Sequence, residues 1–412
     1  MTHKPTYALE HSLHPDHFGG VNPAIYDSST YAFRNPQTMK EIFEHEMEGC
    51  FLYARHWNPT NKALADALAQ MEGSEAAQVT ASGMAAISTT LLQLCAAGDE
   101  IVCGRTVYGG TYALLKNFLP RLGIHTRFVN LQNLAEVEKA ITPRTKVIYG
   151  EAISNPLLEV AAIPRLAHIA NEHGLTLVID NTFSPLLISP LTLGAHVVVH
   201  SLTKFINGTS DCVAGAICAS KAFVAQLTDV NKGASMLLGP VLDSTRSASI
   251  LKNLHTLHLR MKQHSANALY LAQQLQAAGV RIHYPGLPTH PQYQLLNNLM
   301  NEGYGYGGIM TLDAGDEATA HRLLMLMQEA KIGYLAVSLG YFKTLFSLPG
   351  SSTSSEIPVA EQQAMGLTPG LVRLSVGLDE DIADTWRRLA ACLEQVGMLT
   401  GAVADSTFAV TF

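Results

Sequence analysis

At 412 residues the chain is long enough to bury a large core and to divide into two or three domains. A hydrophobic content of 47% with 15% charged residues excludes a disordered chain. The 27 basic and 34 acidic residues are scattered and sum to −7, so neither nucleic acid nor an anionic membrane finds a footprint here.

Residues 1–18 are studded with His, Lys, Asp and Glu and carry no secretory signal pattern. Residues 1–60 lack strong periodicity and contain Gly19-Gly20, Pro23, Pro36 and Pro59, which predicts an arm that folds by lying on something else. The arm ends in Tyr53-Ala-Arg55-His-Trp-Asn58-Pro59-Thr60, an aromatic and basic cluster running into a helix that Asn58 or Thr60 can cap. Leu64, Ala67, Leu68 and Met71 then mark one apolar helical face, stopped by Gly73. Residues 76–98 carry no charge, but interspersed Gln, Ser, Thr and Gly make them a buried strand, turn and helix rather than a membrane span.

From there strands and helices alternate. The pattern predicts strands at 78–81, 100–103, 126–129, 146–151, 175–179, 197–199 and 214–218, with helices over 83–96, 111–121 and 163–173. This alternation implies an α/β domain with a mostly parallel sheet covered by helices on both faces. Ligands of such sheets bind at the carboxyl ends of the strands. Beyond residue 250 the pattern changes to a helix at 261–278, a turn-rich 284–294, a strand at 308–312 and a helix at 318–330. A strand at 371–376 and a helix at 382–396 complete a smaller C-terminal α/β domain, and 401–412 is expected to be a loosely held tail. The expected divisions are an arm (1–60), a larger domain (61–255) and a C-terminal domain (256–412).

Cys50, Cys95, Cys103, Cys212, Cys218 and Cys392 form no CxxC pair and read as reduced thiols of a cytoplasmic protein. Seventeen histidines show no HExxH or comparable spacing, so no metal is expected.

One stretch concentrates the chemistry. A β-branched apolar run at 197–199 delivers a single lysine, Lys204, into a bend rich in hydroxyls and glycine. A desolvated lysine can form a Schiff base with an aldehyde cofactor, and Ser201 and Thr203 beside it can donate to a phosphate. Ser82-Gly83-Met84 lies between a strand and a helix, where backbone N–H groups bind phosphate and Gly83 allows close approach. Asp180 ends a strand with no solvated face and needs a cationic partner or several donors, which suits it either to cap the following segment or to hold a protonated pyridine nitrogen. Asn155 brings an amide to the same sheet edge, and Tyr108, in Tyr108-Gly109-Gly110, can stack on a flat ring and exchange a proton. Arg373 is a charge inside an apolar strand, placed to fork onto a carboxylate of the protein or of a substrate. Gly303-Tyr-Gly305-Tyr-Gly307-Gly308 fits GxGxxG by letter, but a helix precedes it and a strand follows, the reverse of a dinucleotide site. A lysine, a carboxylate, an aromatic ring, a phosphate turn and a carboxylate clamp together match the needs of pyridoxal 5′-phosphate.

With these motifs the chain resembles the Cys/Met-metabolism (trans-sulfuration) family of pyridoxal-phosphate enzymes. The resemblance rests on Tyr53-Ala-Arg55 with Asn58-Pro-Thr, Ser82-Gly-Met-Ala-Ala, Asp180-Asn-Thr-Phe, Ser201-Leu-Thr-Lys204-Phe-Ile-Asn-Gly, Val337-Ser-Leu-Gly and Val372-Arg-Leu-Ser-Val-Gly-Leu. Residues 338–356 look most like the plant-type methionine γ-lyases of that family. The resemblance implies the PLP-dependent transferase-like fold of aspartate aminotransferase type I. It implies that Lys204 carries the cofactor, Asp180 pairs with its ring nitrogen, Tyr108 stacks on the ring and Asn155 meets the ring hydroxyl. Gly83, Met84, Ser201 and Thr203 would hold the phosphate, with Tyr53 and Arg55 reaching that of a neighbouring subunit. Ser338 and Arg373 would take the substrate carboxylate, in a homotetramer of active-site-sharing dimers. The implied activity is γ-elimination from methionine or a similar γ-substituted amino acid, with Lys204 moving the α-proton and Tyr108 assisting the leaving group. The alternative is γ-replacement, as in an O-acylhomoserine sulfhydrylase or a cystathionine γ-synthase.

Overall fold

A computed structural model of the chain describes residues 3–12, 19–33, 35–44 and 50–399. The expected tail at 401–412 lies outside the described residues. The larger sheet is built from β1 (Ala76–Thr80), β2 (Glu100–Gly104), β3 (His125–Val129), β4 (Thr145–Glu151), β5 (Thr176–Asp180), β6 (Val197–Ser201) and β7 (Gly215–Ala219). Their order is β1-β7-β6-β5-β4-β2-β3, with β7 antiparallel to both neighbours and every other pair parallel. This is the mostly parallel sheet that the alternating pattern predicts. The central strands are buried on both faces, which is why Val147-Ile-Tyr149, Leu177-Val-Ile179 and Val197-Val-Val199 read as unbroken apolar runs.

Local signals account for the helix ends. Asn58 caps the helix Pro59–Glu72 by accepting from the N–H groups of Thr60 (2.8 Å) and Asn61 (3.4 Å), and Gly73 ends it at φ +71°. The single helix predicted over 111–121 is instead three short pieces: an α-turn at Gly109–Ala113, a π-turn at Leu114–Phe118 and a 3₁₀ turn at Leu119–Leu122. Pro120 explains the break, since it has no N–H for the carbonyl one turn back and its ring crowds that carbonyl. Part of the N-terminal segment lies on this chain itself. The helix Pro5–Ser12 packs on Pro59–Glu72 with Leu9 buried in the main core, and His3 Nε2 lies 2.9 Å from the carbonyl of Met71.

The smaller sheet contains β8 (Ile282–His283), β9 (Ile309–Asp313), β10 (Gly333–Leu335), β11 (Thr344–Ser347) and β12 (Leu371–Ser375), ordered β10-β11-β12-β9-β8. Two apolar cores result. The helix Leu257–Ala277 belongs to both: Leu257 and Met261 sit in the core under the larger sheet, while Ala268, Leu271 and Leu275 sit under the smaller one. Gly303–Gly308 lies between the helix Tyr293–Leu299 and β9, so the reversed order that argues against a dinucleotide site is the order observed.

Candidate active site

The carboxyl ends of β1, β2, β4, β5 and β6 share one edge of the larger sheet, and beneath it opens a cavity of about 270 Å³. Gly83, Met84, Tyr108, Asn155, Asp180, Ser201, Thr203, Lys204 and Arg373 line it. Ser338 joins them by accepting a 3.0 Å hydrogen bond from Lys204 Nζ. Tyr53 and Arg55 do not line it: Tyr53 is half exposed beside Thr30, and the Arg55 guanidinium lies over its ring at 5.8 Å.

Lys204 sits in a turn in which its N–H donates to the carbonyl of Ser201 (3.2 Å) and its carbonyl accepts from Gly208 (2.8 Å). Arg260, on the helix Leu257–Ala277, clamps this turn by donating to the carbonyls of Phe205, Ile206 (2.9 Å) and Asn253 (3.0 Å). From the smaller domain Gly340, at φ +76°, lies so close to Phe205 that a Cβ there would meet its backbone N at 2.5 Å. Only a glycine lets the Ser338–Gly340 turn seat against the lysine. Burial first, and the charge of Arg373 second, bring the Lys204 amine down from 10.5 to about 8.

At the other end of the cavity Ser82 Oγ accepts from Ala85 N (3.0 Å) and its carbonyl takes Ala86 N (3.0 Å). The N–H groups of Gly83 and Met84 stand at the open end of that helix, an anion seat by dipole and by donor count. A Cβ on Gly83 would meet Ser201 Cβ at 2.7 Å. Gly83→Ala is therefore expected to destabilise the protein by about 1–3 kcal/mol through overpacking, read as a lower urea midpoint.

Asp180 is buried, accepting from Thr182 N at 2.9 Å and from the Tyr149 hydroxyl at 3.5 Å. Desolvation, only partly offset by the Thr182 hydrogen bonds, raises its pKa. Arg373, 2% exposed, donates to Asn155 Oδ1 (3.0 Å) and to the Ser338 carbonyl (3.3 Å), both neutral. Among the described residues it has no carboxylate ion-pair partner, and desolvation lowers its pKa to about 10. A buried guanidinium so placed has room for a carboxylate from outside the chain. Burial keeps the Tyr108 phenol protonated by raising its pKa. Sequence reasoning passed over Glu151 and Thr182, which line the cavity, and Arg260, which holds the Lys204 turn through backbone carbonyls. Among the described residues no cluster could hold a metal ion and no helix is long and apolar enough to cross a membrane.

The family model for Cys/Met metabolism PLP-dependent enzymes matches residues 5–394. The chain belongs to this family. It is 44% identical to the methionine gamma-lyase of Arabidopsis thaliana over 374 residues, 89% of this chain and 85% of that protein. To the L-methionine gamma-lyase of Pseudomonas putida it is 39% identical over 383 residues, 92% of this chain and 94% of that one. A crystal structure assigned to an O-acetylhomoserine (thiol)-lyase from Campylobacter jejuni superposes with a TM-score of 0.87 at 28% identity. It covers 95% of this chain and all of that one, and it carries an N′-pyridoxyl-lysine-5′-monophosphate. Pyridoxal phosphate, the family's cofactor, fits the residues present. Asp180 is a buried carboxylate whose desolvation a ring N–H would relieve, Lys204 is a desolvated amine, and Gly83 leaves an anion seat that a side chain would fill.

Proposed function

We propose that this PLP-dependent enzyme removes the γ-substituent from methionine or a similar γ-substituted L-amino acid, giving 2-oxobutanoate, ammonia and a thiol. The observation that carries the reading is one cavity holding a desolvated lysine amine beside a buried arginine that, among the described residues, lacks a carboxylate partner. Identity of 44% and 39% to two methionine gamma-lyases supports the substrate.

When bound, pyridoxal phosphate supplies a ring that accepts electrons from the substrate's α- and β-carbons. Lys204 would hold it through the amine and, once displaced by the substrate amine, take the α-proton. Asp180 would keep a proton on the ring nitrogen. Gly83 and Met84 N–H groups, with the Ser201 and Thr203 hydroxyls, would hold the phosphate, while Asn155 meets the ring hydroxyl. Tyr108 would stack on the ring and, its phenol kept protonated by burial, would donate to the departing γ-sulfur. Arg373 and Ser338 take the substrate carboxylate.

The arm, residues 1–60, is read as reaching a neighbouring subunit, where Tyr53 and Arg55 would meet the phosphate in a homotetramer of two active-site-sharing dimers. Their position outside this chain's own cavity supports that reading. Residues 61–255 would then form the PLP-binding domain and 256–412 the C-terminal one; the presence of two apolar cores supports a division, while Leu257, Met261, Leu296 and Leu339 pack into the larger core. The cytoplasm is the compartment that suits six free thiols.

Likeness to the O-acetylhomoserine (thiol)-lyase structure favours a second reading, γ-replacement on an O-acylhomoserine by sulfide or a thiol. One panel separates the two. Purified protein given methionine is expected to release 2-oxobutanoate and a volatile thiol; turnover confined to O-acylhomoserine with sulfide would sink the elimination reading.

A further inference from the structure

Glu151 closes β4 and lines the cavity at 7% exposure, yet no step proposed above uses it. Its two oxygens are divided between two loops. Oε1 accepts from the backbone N–H of Tyr108 and Oε2 from that of Asn155, each at 2.7 Å. The contacts run on from Asn155 into the smaller domain: Asn155 Oδ1 to Arg373, Arg373 to the carbonyl of Ser338, and Ser338 Oγ to Lys204 Nζ. One buried carboxylate thus stands at the root of a continuous line joining Tyr108, Arg373 and Lys204.

We propose that Glu151 is a positioning residue that locks the Tyr108 and Asn155 loops to each other and, through Asn155, aims the Arg373 guanidinium at the substrate carboxylate. The inference rests on the roles given above to Tyr108, Asn155 and Arg373. A carboxylate with one N–H on each oxygen is the simplest side chain that can fix both loops at once, and such charge-assisted bonds are stronger than neutral ones. Glutamine keeps only one acceptor oxygen and turns its own N–H groups toward the second backbone donor, leaving both unsatisfied. Burial, with Asp180 as the second cause, pushes the Glu151 carboxyl up to about 8 while the two N–H bonds pull against that rise, so the charge-assisted pair is complete above that pH, where the variants are compared. Aspartate keeps the charge but is one methylene too short to span the loops.

The test compares Glu151→Gln with the wild-type holoenzyme on whichever substrate the wild type turns over, with cofactor titration and urea unfolding alongside. Loss of one charge-assisted bond predicts rises of about tenfold in both KM and cofactor Kd, with kcat changed by less than about threefold. The visible absorbance of the lysine-linked cofactor should persist. A merely structural role would lower the unfolding midpoint without splitting KM from kcat. A folded Glu151→Gln variant with wild-type KM and cofactor Kd overturns the inference. Where that variant does not fold, Glu151→Asp is expected to show the same KM rise, and wild-type KM there, or failure of both to fold, overturns it equally. The underlying reading fails on a different result, a wild-type protein that turns over no γ-substituted amino acid.

Discussion

Lys204→Ala is expected to abolish turnover and the visible absorbance of lysine-linked cofactor together. Among the described residues lining the cavity Lys204 is the only lysine, and its Nζ has one hydrogen-bond partner there, Ser338 Oγ at 3.0 Å. In the proposed roles of Lys204, alanine removes both the tether and the proton carrier. General acid–base transfer alone contributes roughly 10²–10⁴-fold, so the rate loss should exceed about 10³-fold. Ser338 and Arg373 do not depend on the lysine for their backbone placement, so substrate binding should weaken far less than kcat falls. Retained turnover would refute the assignment. The pH dependence gives an independent check. An amine must be neutral to capture an aldehyde, and burial brings Lys204 from 10.5 to about 8. Capture of pyridoxal phosphate by cofactor-free protein should therefore rise with pH around 8, well below the limb of an ordinary lysine. The stability sign follows. With the folded pKa depressed, the unfolded chain binds more protons between about 8 and 10.5. Stability of the cofactor-free protein should climb across that window and level above it, and Lys204→Ala should flatten the climb.

The sheet edge was legible because its central strands are buried on both faces. Runs such as Val197-Val-Val199 and Leu177-Val-Ile179 stand out as apolar, and the polar residues that end them, Ser201 and Asp180, stand out by contrast. Less legible was whatever acts through the backbone. Arg260 reads as one more charge on an amphipathic helix until its guanidinium is seen on the carbonyls of Phe205 and Ile206. Glu151 reads as the polar end of a strand, since nothing local indicates that the N–H groups of Tyr108 and Asn155 converge on it. Short elements escaped for a different reason. β8 has two residues and β10 three, too few to display a period, and Tyr334 and Leu335 in β10 are exposed apolar residues with no buried face to mark a strand. The broken helix after Tyr108 carried its own signal in Pro120, which the apolar spacing around it outweighed.

Asp180→Asn should produce the second large loss, and it should do so without weakening the cofactor-free fold. The substituted amide would retain an oxygen for Thr182 N, now at 2.9 Å from Asp180 Oδ1, so the local turn survives. What disappears is the charge proposed to face the ring nitrogen, and removing one preorganised electrostatic contact of this kind costs roughly 10²–10³-fold in kcat. Stability separates this from simple damage. Desolvation raises the folded-state pKa of Asp180 above its unfolded value of 3.8, so between those values the folded state binds more protons. The carboxylate's contribution therefore falls as pH rises through that window, and above it the cofactor-free wild type carries the cost of an ionised, buried group that the amide spares. Cofactor-free Asp180→Asn should match or exceed the wild-type urea midpoint above that window, with the difference shrinking as pH falls toward the ordinary carboxylate range. Bound pyridoxal phosphate should reverse the order, because a protonated ring nitrogen pairs with Asp180 and not with an amide. A variant destabilised equally with and without cofactor would make Asp180 a structural residue and remove it from the chemistry.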